Sequence, residues 1–77
     1  METITDCLKR VFPQCDTGAI TTETALGHVP GWDSMNSVNF LLELEAAFQV
    51  SLGDEVLTAK HHMSDVVELL RRKGVQI

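Results

Sequence analysis

The groups in this chain that could do chemistry are a serine at a helix start, two thiols and three imidazoles. Ser34 closes the run Gly31-Trp32-Asp33-Ser34 and opens a stretch with no internal Gly or Pro. At a helix N-terminus the free backbone N–H groups and the helix dipole favour negative charge, so an anionic group on this hydroxyl would be stabilised by about 0.3–1 kcal/mol. An unactivated serine is a poor nucleophile, and nothing in the sequence marks a base beside Ser34. Any covalent change there must be performed by another enzyme; the plain alternative is a first-turn serine with a local hydrogen bond. Cys7 and Cys15 are too few and too poorly spaced for a disulfide framework, a CxxC pair or a zinc ribbon. Two reduced thiols are expected, Cys7 on the apolar face of a helix and Cys15 in a loop open to oxidation. No cysteine or carboxylate joins His28, His61 and His62 at a ligand spacing, so they are expected on the surface or in turns, with no metal bound.

Three amphipathic segments must position these groups. Residues 3–12 read as a helix, with Thr3 and Asp6 at capping-box spacing, Ile4, Cys7, Leu8, Val11 and Phe12 on one face, and Pro13 at its end. Residues 13–33, punctuated by Pro13, Gly18, Gly27, Pro30 and Gly31, predict a long loop, pinned to the core by Ile20, Ala25, Leu26 and Val29. The longest helix runs from Ser34 to Phe48 with Asp33 as its N-cap. A short helix is expected over about 54–60. The last helix starts at Ser64, buries Val66, Val67, Leu69 and Leu70, places Arg71, Arg72 and Lys73 at the dipole's negative end, and stops at Gly74. No strand is expected. The fold class is therefore all-α: a bundle of three main helices plus one short helix, with the long loop between helices 1 and 2.

On a helical wheel, residues 34–48 carry two apolar arcs. Phe40, Leu41, Leu44, Ala47 and Phe48 share one with Ser37, and this is the expected core face. Met35, Val38, Leu42 and Ala46 form the other, flanked by Asn39 and Glu45, with Ser34 at its edge. A three-helix bundle rarely buries both arcs of one helix, so an exposed apolar patch beside Ser34 is expected unless the short helix covers it.

Gly31-Trp32-Asp33-Ser34-Met35, followed by Val38, Leu42, Leu44-Glu45 and Phe48, resembles the modification site and second helix of acyl and peptidyl carrier proteins. The likeness extends from about Leu8 to Leu70, through the long first loop and the run His62-Met63-Ser64-Asp65 into the last helix. By this resemblance residues 1–77 are a single carrier domain, a stand-alone carrier with no catalytic residue of its own. Ser34 is then the site to which a phosphopantetheinyl transferase attaches 4′-phosphopantetheine. Asp33 caps the helix and, as in the family, helps the transferase hold its metal ion; Trp32 packs the loop down or touches the arm. Met35, Val38, Asn39, Leu42 and Glu45 form the docking face for partner enzymes. The arm carries acyl or aminoacyl groups as thioesters, and fatty acyl, polyketide and aminoacyl carriers share these motifs. Asn36 and Asn39 stand where carriers of ordinary fatty acid synthesis often have acids, which points to a specialised pathway.

Composition agrees with a binding or carrier module. The chain has 77 residues, a net charge of −5, and 44% hydrophobic residues without an apolar run long enough to span a membrane. A domain this small leaves little room for a shielded catalytic cleft. All Lys and Arg fall at Lys9, Arg10, Lys60, Arg71, Arg72 and Lys73, so residues 11–59 form an acidic middle. That disfavours nucleic acid and favours enzymes with basic docking surfaces. With an acidic start and no apolar signal core, the expectation is a cytoplasmic monomer. The rival reading is a cofactor-free helical adaptor that binds a partner's helix through the Met35, Val38 and Leu42 patch.

Overall fold

In a computed structural model, which describes residues 2–77, three α-helices enclose one apolar core: α1 (Glu2–Val11), α2 (Ser34–Phe48) and α3 (Met63–Arg72). There is no strand among the described residues, and no helix is long and apolar enough to cross a membrane. The core is built from Ile4, Cys7 and Leu8 of α1, Phe40, Leu41 and Leu44 of α2, and Met63, Val66, Leu69 and Leu70 of α3. Phe12, Cys15, Leu26, Val29, Leu52 and Leu57 from the connecting segments complete it. α1 is already helical at Glu2, so Thr3 lies inside the helix and does not cap it; instead the Thr5 hydroxyl donates to the Glu2 carbonyl (2.9 Å).

The long loop is more ordered than its Gly and Pro content predicts. It contains 3-10 turns at Thr17–Ala19 and Leu26–His28, the first capped by Asp16. Leu26 and Val29 are buried, while Ile20 and Ala25 are half-buried. Cys15 is 1% exposed, which corrects its expectation as an oxidisable loop thiol. The chain turns inward there, with the Lys9 ammonium donating to the Cys15 carbonyl (2.9 Å), so the thiol joins the core.

The expected short helix over 54–60 does not form. The Thr58 N–H, which a helix would bond internally, donates to the His61 imidazole (2.9 Å), and the end of the segment is tied to the first loop by Gly27 N–H to Ala59 O (3.1 Å) and Leu26 N–H to His61 O (2.8 Å). The resulting antiparallel clamp, with an isolated bridge between Ala25 and His62, holds the first loop against the second. It requires glycine at 27, where a Cβ would stand 2.9 Å from Ala59 Cβ and 3.0 Å from Ala59 O. α3 begins at Met63, one residue before the expected Ser64, because its N-cap is His62, whose N–H donates to the Asp65 carboxylate (2.8 Å). It ends as expected at Gly74, whose φ of +95° suits a residue without a Cβ.

Candidate functional site

Asp33 sits in extended backbone at the N-cap of α2 and its Oδ1 accepts the Asn36 N–H (2.7 Å), as its position predicts. Ser34 follows in the first turn and is exposed. Its backbone carbonyl accepts the Ser37 hydroxyl (2.8 Å), a bond that lets buried Ser37 sit on the core face without an unpaired polar atom. The Ser34 hydroxyl itself has no hydrogen-bond partner among the described residues, and no imidazole or carboxylate engages it. It is available to an incoming reagent and carries no base of its own.

Trp32 positions the approach to the helix. Its ring stacks on Phe12 (centroids 5.4 Å apart, 16° between planes) and meets Phe40 edge-on (6.3 Å, 75°). These contacts tie the end of the long loop to the residue that follows α1 and to α2, the packing role expected of it. The remaining, half-exposed part of the indole lines an apolar groove.

That groove, of about 500 Å³, is the feature that sequence reasoning missed. One wall is Trp32, Asp33, Ser34, Ser37 and Val38; the other is Val56, Leu57, Thr58 and Ala59. The second wall is the segment expected as a helix, and its actual path follows from the clamp to residues 26 and 27. Since that clamp depends on contacts across more than 30 residues of sequence, no local signal could have found it.

The two arcs of α2 separate largely as the wheel indicates. Ser37, Phe40, Leu41 and Leu44 are buried and Phe48 half-buried, but Ala47, expected in the core, is exposed. On the second arc Met35 is 73% exposed, Val38 53% and Leu42 55%, with Ala46 also exposed. The 54–60 segment therefore leaves most of this face open. Asn39 is exposed and its amide donates to the Asn36 side chain (3.2 Å). Glu45 stands apart from the other residues of the expected docking face: it is half-buried, and its carboxylate accepts the Leu52 N–H.

Both thiols are pushed above their ordinary pKa, chiefly by burial; Arg10 partly offsets this at Cys7 and Lys9 at Cys15. They are poor nucleophiles at neutral pH. His28 and His62 are exposed, and the Nδ1 of half-exposed His61 is used in the 58–61 turn. Among the described residues no three His, Cys, Asp or Glu side chains are grouped to hold a metal ion. Comparison of the chain with models of known protein families, with curated proteins and with solved structures finds no match.

Proposed function

We propose that this chain is an acyl carrier domain, modified with 4′-phosphopantetheine on Ser34, with an acyl-carrier-like helical bundle and no catalytic activity of its own. The observation that carries the reading is Ser34: an exposed, unengaged hydroxyl in the first turn of the longest helix, held there by the Asp33 cap and bordering an apolar groove. The residues present suit the group. The free N–H groups of the first turn and the helix dipole favour a phosphodiester at this oxygen. The apolar walls of the groove, with Trp32 and Val38 on one side and Val56 and Leu57 on the other, suit the neutral part of a flexible arm.

When bound, the group supplies a terminal thiol that holds acyl or aminoacyl cargo as a thioester and presents it to partner enzymes. The chain's own part is positional. Asp33 holds the helix start and offers its second carboxylate oxygen towards the transferase's metal ion. Trp32 fixes the loop that delivers the chain to Ser34. Met35, Val38, Asn39 and Leu42 form the face on which the transferase and the acyl-loading and acyl-using enzymes dock, with Glu45 supporting it from beneath. Because no base adjoins Ser34, the transferase must supply the deprotonation.

The test is intact mass before and after incubation with coenzyme A and a broad-specificity phosphopantetheinyl transferase. A gain of one phosphopantetheine in the wild type and none in Ser34→Ala is expected. No gain in a folded wild-type protein, with a transferase active on a control carrier, would overturn the reading in favour of a cofactor-free adaptor.

A further inference from the structure

The charge pattern of the sequence and the charge pattern of the folded surface around Ser34 differ. The chain from 33 to 55 contains five carboxylates, Asp33, Glu43, Glu45, Asp54 and Glu55, and no Lys or Arg. In the fold each of them faces a group of the protein itself. Asp33 accepts the Asn36 N–H, and Glu45 accepts the Leu52 N–H. Glu43 pairs with Arg10 of α1 (3.4 Å), while Glu55 and Asp54 flank Lys73 after α3 (3.2 and 3.8 Å). The cations come from the two ends of the chain, so this pairing is invisible in any local stretch of sequence.

Between these paired groups α2 presents Met35, Val38, Leu42 and Ala46, all exposed, and interleaved with them are two uncharged amides, Asn36 and Asn39, already bonded to each other, while the Asp33 cap and the Ser34 hydroxyl border this surface at the helix start. Across the groove Val56, 72% exposed, continues the apolar surface. Interfaces whose cores lack charge gain affinity from desolvating apolar area and depend weakly on salt, whereas charge-steered ones weaken steeply as salt rises.

We infer that the enzymes acting on Ser34 meet this face with an apolar surface, in place of the basic surface that the acidic middle of the sequence suggests. The inference rests on the carrier reading. A single charge of either sign placed at the centre of the face must then be desolvated without a partner, and both signs are unfavourable. A basic partner surface would instead distinguish them, welcoming a carboxylate and repelling an ammonium.

The experiment is the transferase assay run as initial-rate kinetics on wild type, Val38→Glu and Val38→Lys, each confirmed as helical by circular dichroism, at about 50 and about 500 mM NaCl. Val38 is exposed, so both variants are expected to fold. Both are expected to raise KM by about fivefold or more, equivalent to about 1 kcal/mol of lost binding, and the wild-type KM is expected to change by less than about twofold with salt. A KM that falls in Val38→Glu and rises in Val38→Lys, or a wild-type KM that climbs about tenfold with salt, would overturn the apolar assignment and leave the carrier reading standing. No mass gain on the wild type under any condition would overturn both.

Discussion

The two faces of α2 are made of similar residues and meet opposite fates. Phe40, Leu41 and Leu44 are sealed between α1, α3 and the connecting loops, while Met35, Val38 and Leu42, on the same helix and no less apolar, stand in solvent. Hydrophobicity alone therefore does not say which arc is core. What decides is where the other elements lie: α1 packs on one side of α2, and the 54–60 segment, held back by its clamp to residues 26 and 27, opens a groove on the other. An apolar arc left uncovered costs solubility, and its presence beside an accessible serine is what a docking surface requires.

The comparison breaks most visibly on the inner face. Phe40→Ala removes a ring with no exposed surface and is expected to destabilise the fold by about 3–5 kcal/mol, read by urea denaturation. A loss below about 1 kcal/mol would mean that the inner face is not the core. Gly27→Ala acts on the clamp that keeps the outer face open. Its methyl would stand 2.9 Å from Ala59 Cβ and against the Ala59 carbonyl, so the two loops must separate, at a cost of about 1–3 kcal/mol. Loss of amide-exchange protection at Gly27, whose N–H bonds Ala59, should accompany it. Asp33→Ala removes the cap that both faces share and should cost about 1 kcal/mol, with fraying confined to the first turn of α2.

The buried thiols offer a pH test of the inner side. Folding raises both pKa values by desolvation, so it favours the protonated form. The associated stability is fully present below the ordinary thiol pKa of about 8.5 and is lost as pH rises through the higher folded values. Unfolding free energy should therefore decline at alkaline pH, less so in Cys15→Ala, and both thiols should react with a maleimide at neutral pH only on unfolding. The smallest effect belongs to the outer face. Leu42→Asn should leave stability within about 0.5 kcal/mol of wild type, because the side chain is already more than half exposed. If it destabilised the protein as Phe40→Ala does, the two faces would not differ as described.

Much of the scaffold of the site was readable from residue order. The Asp33 cap, the span of α2, the position of Ser34 in its first turn and the stop at Gly74 are set by interactions within one turn of chain, where side-chain type and spacing act directly. The wheel separated the arcs of α2 and erred at Ala47, whose single methyl gains too little by burial to say where it must lie. The segment 54–60 was misread for a different reason. Its helix-compatible residues say nothing about Gly27 and Leu26, whose N–H groups bond the Ala59 and His61 carbonyls and hold the segment on another path. Cys15 was misread likewise, since a loop residue is exposed or buried according to what the chain folds over it.

The sequence by itself determined the three helices, the Asp33 cap and the serine that opens the second, because helix formation and capping are local. Only the tertiary structure decided which apolar face stays open, that a groove runs beside Ser34, and that the acids of the middle segment face Arg10, Lys73 and backbone amides. Those outcomes depend on pairs of residues far apart in the chain, and a pairing between distant residues exists only once the backbone has brought them together.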